Sequence, residues 1–243
     1  MIDGGLKIAL AGNPNVGKST VFNALTGLKQ HTGNWAGKTV ENAAGECRIT
    51  QETCMLMDIP GTYSLIARSK EEEVACDYIC FSDVDAVIVV CDAGCLERNL
   101  NLALQICEVT GNVIICVNLI DEAQKMGIEV DEKKLSRLTG CPCVKTAARS
   151  KKGIKELAEE INKIKKREEK PPLKIDYGPE EEKIKKLEAL LYGFKNPRWC
   201  AVKLLEGDSH ICSEILKRAK NREEIERERE KCGACEIKSV ERI

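Results

Sequence analysis

Residues 12–20 read GNPNVGKST; the apolar run LKIALA precedes them at 6–11 and VFNALTG follows at 21–27. A glycine-bracketed turn between a strand-like run and a helix-like one matches G-x-x-x-x-G-K-[ST], the loop whose backbone amides close around a chain of phosphates. Amides at a helix N-terminus point outward, and the aligned peptide dipoles favour an anion there. The plainer alternative is a glycine loop that only turns the chain from strand to helix. On the phosphate reading, Gly12, Asn13, Pro14, Asn15, Val16, Gly17, Lys18, Ser19 and Thr20 line the nucleotide. Lys18 then reaches the β- and γ-phosphates, and Ser19 ligates Mg²⁺.

Outward from this loop, the first 165 residues alternate apolar runs with amphipathic ones. That pattern predicts an α/β fold, a mostly parallel six-stranded sheet with helices on both faces, as in a P-loop NTPase. The strands are expected at 6–11, 40–49, 52–58, 85–91, 112–118 and 141–146, and the helices at 18–26, 69–80, 97–109, 131–138 and 152–168. Residues 40–58 hold two strands with only a short turn between them, so they pair as a hairpin and leave one strand antiparallel. Pro171 and Pro172 then stop the last helix. The boundary follows: a nucleotide-binding domain at 1–168 and a small all-helical domain at 169–243. In the latter, Ile184, Leu187, Leu190, Leu191 and Phe194 form one helical stripe, a second helix covers about 198–206, and a last one begins near Ser209 and runs into NREEIERERE, a solvated charged face.

Three downstream motifs choose the nucleotide. DIPG ends a strand with Asp58, placed to hold Mg²⁺ through water, and continues to Gly61, whose N–H can meet the γ-phosphate. Thr39 supplies a second Mg²⁺ hydroxyl and joins Lys18 and Gly61 in the expected catalytic set. NLID supplies Asn118, Leu119 and Asp121. Guanine presents two adjacent donors that one carboxylate accepts together, whereas adenine has an acceptor at N1 and nothing at C2. Asp121 therefore selects GTP and GDP over ATP. Asn118 ties the base loop to the phosphate loop, and TAAR brings Ala147 and Ala148, the latter offering its N–H to guanine O6. Two departures from the commonest small-GTPase pattern stand out. Leu119 replaces a lysine, covering the base without adding charge. Thr62 stands where Ras-like enzymes carry the glutamine that orients the attacking water. A replacement must supply what an arginine finger supplies elsewhere, roughly 10³ to 10⁵ in rate or about 4 to 7 kcal/mol.

Composition removes other classes. With 38 basic against 39 acidic residues and a net charge of -1, nothing favours a nucleic acid partner. No apolar run approaches the roughly 18 residues of a membrane span, and no secretion signal opens the chain, so it reads as soluble. Of the fourteen cysteines, Cys47, Cys54, Cys91 and Cys116 fall in apolar or alternating runs and read as packing. Cys232 and Cys235 form a single C-x-x-C, a weak metal signal. A disulfide framework is not expected, the exception being intracellular proteins of hyperthermophiles, toward which the Lys- and Glu-rich 32% charged content leans.

GNPNVGKST, HTGNWAGKTVE, DIPGTYSL and NLID together resemble the N-terminal GTPase domain of FeoB, the ferrous iron transport protein B family. The likeness covers residues 6 to about 165 closely and the helical part loosely. It implies a Mg²⁺-dependent GTPase at the cytoplasmic face of the cell membrane, switching loops 29–39 and 61–69. It also implies a helical domain that tunes nucleotide release, and a membrane-spanning iron-permease domain downstream, of which this chain would be an excised or truncated part. Self-association is left open. In related K⁺-activated GTPases a P-loop Asn and carbonyls of the first switch hold potassium against the phosphates; the matching residues are Asn15, Gly33 and Trp35, although Asn15 also reads as a turn residue and Trp35 as a loop anchor. Lys38 and Ala147 depart from the family pattern, and His31 reads as an exposed loop residue rather than an iron ligand. Two rivals remain: an Era-like GTPase of ribosome assembly or tRNA modification, and a nucleotide-sensing module whose hydrolysis is incidental.

Overall fold

Strand-forming runs in this chain are either fully apolar or alternating, and the difference sets where each strand lies. The computed structural model describes residues 5–27, 30–34, 41–49, 52–66, 69–164 and 170–232. Strands β1 (Leu6–Gly12), β2 (Gln30–Asn34), β3 (Glu41–Ile49), β4 (Glu52–Asp58), β5 (Ala86–Asp92), β6 (Val113–Asn118) and β7 (Cys143–Lys145) form one sheet in the order β2-β3-β4-β1-β5-β6-β7. The central strands β1, β5 and β6 are near-continuous Val, Ile, Leu and Ala because both their faces are covered, as a parallel core requires. Only β3 runs against its neighbours: it pairs antiparallel with β2 and with β4, from Cys47↔Cys54 out to Ile49↔Glu52. All six expected strands are present, and β2 is a seventh at the sheet edge. His31 accordingly lies in a strand opposite Ala44 rather than in a loop.

The first unit's helices are α1 (Lys18–Thr26), α2 (Lys70–Phe81), α3 (Leu96–Val109), α4 (Ile120–Lys125), α5 (Glu132–Thr139) and α6 (Ile154–Asn162). α1 and α6 pack on one face, where Val21, Phe22, Leu157 and Ile161 meet Ile8, Leu10, Leu56, Ile88 and Ile114 in one apolar cluster. Burying Leu157 or Ile161 contributes about 1.5–3 kcal/mol each. α3 covers β5 and β6 on the opposite face with Leu102, Ala103 and Ile106. α6 starts at Ile154 rather than at 152, after Gly153 at φ +77, and residues 165–168 of the expected helix lie outside the described residues. A Cβ on Gly153 would lie 2.0 Å from the Lys145 carbonyl oxygen, so no other residue fits there.

The chain divides into two compact units between Pro171 and Pro172. The second holds α7 (Glu181–Leu190), α8 (Pro197–Glu206), α9 (Ser209–Arg218) and α10 (Arg222–Cys232). Ile184, Leu187, Trp199, Leu204, Ile211, Ile215 and Ile225 are its buried anchors. Arg198 grips Glu181 with two bonds of 3.1 and 2.6 Å and reaches the Ile175 carbonyl at 2.7 Å. The expected continuous last helix is broken at Ala219, whose backbone is extended, and Asn221 there donates to the Leu190 carbonyl at the end of α7. Among the described residues no helix is long and apolar enough to cross a membrane.

Candidate functional site

β1 lies where the chain switches sides of the sheet, so the loops leaving the C-terminal ends of β1, β4, β6 and β7 gather at one edge, the place where α/β sheets bind ligands. Gly12 ends β1 beside β5, and a Cβ there would fall 2.6 Å from the Val90 carbonyl. Asn15 (φ 66) and Gly17 (φ 79) then take left-handed backbone conformations that turn the chain back into α1. α1 begins bare: Gly17 has no side chain to cap it and no acidic residue sits in its first turn. By contrast, Ser69 caps α2, which carries Glu71, Glu72 and Glu73 in its first turn. The amides of Asn15, Val16, Gly17, Lys18 and Ser19 donate to no group among the described residues. Five neighbouring unpaired donors at a helix N-terminus form an anion cradle. Pro14 and Asn15 are exposed, as are Ser19 and Thr20, while Val16 and Asn13 are buried, and the Asn13 Oδ1 has no partner among the described residues.

Lys18 crosses this cradle to form a salt bridge with Asp58 at the end of β4; both side chains are largely buried. The Gly61 amide has no partner among the described residues, and a Cβ on Gly61 would approach Pro14 N to 3.3 Å, so the second loop runs directly against the first. Thr62 is 1% exposed. Its N–H donates to the Gly12 carbonyl at 3.2 Å and its hydroxyl donates to the Ser64 carbonyl at 2.6 Å. That hydroxyl also lies 3.4 Å from Glu72 Oε1 in α2, and it faces inward. Beyond it the Leu65 N–H donates to Gln105 Oε1 at 2.7 Å, and Arg98 lies 4.5 Å over the Tyr63 ring, so α3 holds the loop from two sides.

The third loop is built around Asn118, 1% exposed at the end of β6. Its Nδ2 donates to the Val16 carbonyl at 3.0 Å, tying it to the phosphate loop. Its Oδ1 accepts from the Thr146 hydroxyl at 3.0 Å and from the Ala148 N–H at 3.1 Å. The amide expected to face a guanine O6 is thus turned onto Asn118 here. Ala147 and Ala148 are buried. Thr146 is a member of the network that sequence reasoning passed over; the signal was its place at the head of TAAR, directly after β7. Its hydroxyl also lies 3.3 Å from Cys116 Sγ, whose thiol burial pushes up to about 12 and so keeps neutral. A Cβ on Gly17 would meet Asn118 Nδ2 at 2.5 Å, which explains glycine at that position. Leu119 occupies the left-handed region at φ 62, a costly conformation for a bulky residue, and there it starts α4. Asp121 follows in the first turn of α4, half-buried, its carboxylate without a partner among the described residues.

The donors expected around Mg²⁺ are hard oxygens, the Ser19 hydroxyl and the Asp58 carboxylate, of the kind Mg²⁺ takes beside phosphate oxygens. Thr39 lies outside the described residues, as do Trp35, Lys38 and Cys235. Gly33 lies in β2 opposite Asn42. Among the described residues no cluster of three or more His, Cys, Asp or Glu side chains is arranged to hold a metal ion.

Residues 6–161 match the family model for ferrous iron transport protein B, and residues 177–242 match that for the FeoB cytosolic helical domain. An Escherichia coli K12 relative, the Fe(2+) transporter FeoB, is 39% identical over 211 residues, covering 84% of this chain and 27% of its own. The Salmonella typhimurium Fe(2+) transporter FeoB is 44% identical over 162 residues, covering 65% of this chain and 21% of its own. The chain therefore spans about a quarter of the length of the curated relatives it matches. The cytosolic domain of the T. maritima FeoB iron transporter in its GMPPNP form superimposes with a TM-score of 0.80 at 40% identity, covering 93% of this chain and 96% of that one. The L. pneumophila FeoB cytosolic domain follows with a TM-score of 0.78 at 32% identity, over 93% and 94% of the two chains. With both of its units matched in order, and with the phosphate cradle, Asn118 and Asp121 in place, the chain belongs to the ferrous iron transport protein B family.

Proposed function

We propose that this chain is the GTP-binding and GTP-hydrolysing part of a ferrous iron transporter, acting at the cytoplasmic side of a membrane-spanning permease domain. The observation that carries the reading is the set of five amides from Asn15 to Ser19, unpaired among the described residues, tied through Val16 and Asn118 to a loop that ends in Asp121, whose carboxylate likewise has no partner among them. The cradle takes the phosphates, and Asp121 takes the two adjacent donors of guanine. Ala148 reaches O6 only if its N–H leaves Asn118. Lys18 exchanges Asp58 for the β- and γ-phosphates, which leaves the Asp58 carboxylate and the Ser19 hydroxyl to hold Mg²⁺, with Thr39 as the further hydroxyl. Bound there, Mg²⁺ neutralises charge developing on the phosphate oxygens. The Gly61 amide orients the γ-phosphate, and direct attack by water then rests on positioning and electrostatics. Thr62 has no part in orienting that water, because its hydroxyl is held by Ser64. We assign the missing charge to K⁺ bound by Asn15, with backbone carbonyls of Gly33 and Trp35. The domain boundary follows the prolines at 171 and 172, and the helical unit tunes nucleotide release.

Single-turnover hydrolysis in K⁺ and in Na⁺ tests this reading: faster turnover in K⁺ is expected, and Asn15→Ala should remove the difference while leaving GTP binding nearly intact. Equal rates in both salts would overturn the potassium assignment. The inward-facing Thr62 also favours a second reading, a nucleotide-sensing module, which predicts slow turnover in both.

A further inference from the structure

Two thiols that the nucleotide site does not use face each other across the first unit. Cys107 Sγ, in the last turn of α3, is 3.4 Å from Cys141 Sγ, in the connection from α5 to β7. Both residues are buried, and 34 positions of chain separate them. A disulfide needs the sulfurs to close to about 2.0 Å, a movement of little more than an ångström. Cys141 lies outside any helix or strand and follows Gly140, at φ +71 with open surroundings; the Cys141 carbonyl accepts from the Ser136 hydroxyl at 2.6 Å and its N–H donates to Thr139 Oγ1 at 3.3 Å, so the closing movement falls to the side chains. The other close pairs are less apt. Cys76 and Cys80 stand 3.9 Å apart one turn along the same helix, and Cys47, paired with Cys54 across β3 and β4, donates to the Leu25 carbonyl at 2.9 Å.

Gly140 and Pro142, the residues on either side of Cys141, line a groove of about 750 Å³ together with Cys143, Ser136, Arg137 and Lys170. The hydrogen bond from Cys107 holds the Cys141 thiol below its ordinary range, and the Lys170 ammonium acts in the same direction. Cys107 is pushed up by that same bond and by burial. Cys141 is therefore the thiol that ionises first, and the thiolate is the reactive form.

We propose that Cys107 and Cys141 are an oxidisable dithiol that closes to a disulfide on meeting a hydroperoxide. The Cys141 thiolate attacks the terminal peroxide oxygen; the O–O bond breaks, the departing alkoxide takes a proton and leaves as an alcohol, and Cys141 becomes a sulfenic acid. Cys107 sulfur then attacks the Cys141 sulfur, the S–S bond forms as the S–O bond breaks, and hydroxide leaves with the Cys107 proton as water. Two thiols lose two electrons, and one hydroperoxide is reduced to an alcohol and water. The bond fastens the end of α3 to the segment that leads through β7 to Thr146.

The test is peroxide treatment of the full chain, followed by alkylation and tandem mass spectrometry, a readout independent of whether GTP binds. A loss of two hydrogens mapped to a Cys107–Cys141 bond, retained in Cys143→Ser and accompanied by a rise of several degrees in the unfolding midpoint, is the expected result. Both thiols remaining free for alkylation, or Cys141 bonded to Cys143 instead, overturns the proposal. The wild-type map decides this even if a Cys107→Ala control folds poorly.

Discussion

Replacing Asn118 with alanine removes the side chain that, among the described residues, hydrogen-bonds the phosphate loop to the base loop. Three hydrogen bonds go: Nδ2 to the Val16 carbonyl at 3.0 Å, and to Oδ1 from the Thr146 hydroxyl at 3.0 Å and the Ala148 N–H at 3.1 Å. Thr146 keeps a neighbour in Cys116 Sγ at 3.3 Å, so its hydroxyl is not stranded. The Val16 carbonyl and the Ala148 N–H are left buried and unpaired, at roughly 1–3 kcal/mol each. Water entering the space vacated by the amide would lower the total, so about 3 kcal/mol is the expected loss for the nucleotide-free chain. Urea unfolding followed through the first unit should then shift to lower denaturant by about 1 M, for a slope near 2–3 kcal/mol/M. Thr146→Val, which spares the other two bonds, should cost about 1 kcal/mol, and its effect should largely vanish in the Asn118→Ala background, since the two residues share one network. An Asn118→Ala loss below about 1 kcal/mol, or full additivity with Thr146→Val, would refute the idea that this side chain carries the link.

Two further outcomes follow from side-chain placement. Thr62→Gln should not accelerate hydrolysis, because the position faces inward, and overpacking there should cost about 1–3 kcal/mol in unfolding experiments; a gain in single-turnover rate would contradict the inward placement. In the second unit the Arg198 guanidinium holds the Glu181 carboxyl down at about 2, and Arg218 and Lys217 do the same for Glu214. A carboxyl whose folded value is depressed stabilises the fold above its unfolded value and loses that contribution as pH falls toward the folded one, so stability should decline from about pH 5 to about pH 2. Trp199 fluorescence should report this decline, and Arg198→Met should make it shallower; an unchanged slope would remove Glu181 from the account.

The phosphate cradle was legible because its chemistry is local: two glycines, a lysine and a serine at fixed spacing, between a strand and a helix, dictate the same loop wherever they occur. The central strands were legible because Ala86–Asp92 and Val113–Asn118 are apolar on both faces. β2 was not, since QHTGN has neither apolar alternation nor a β-branched run and is held at the edge by pairing with β3. α4 escaped for a related reason: it is six residues long and depends on Leu119 taking a left-handed conformation that no propensity favours. The break between α9 and α10 rests on Asn221 reaching the end of α7, a contact between residues 31 positions apart. In the site, Asn118 and Asp121 could be named from NLID, but the capture of the Ala148 amide by Asn118 and the burial of Thr62 are tertiary outcomes.

Nucleotide choice by Asp121 is the claim on which the proposed function stands. Calorimetric titration of GTP and of ATP into the same Mg²⁺-containing sample measures it directly. Two charge-assisted hydrogen bonds to one carboxylate, at roughly 1.5–3 kcal/mol each, correspond to about a hundredfold or more in affinity. GTP bound at least about a hundredfold more tightly than ATP is the predicted result; equal affinity for the two would contradict it.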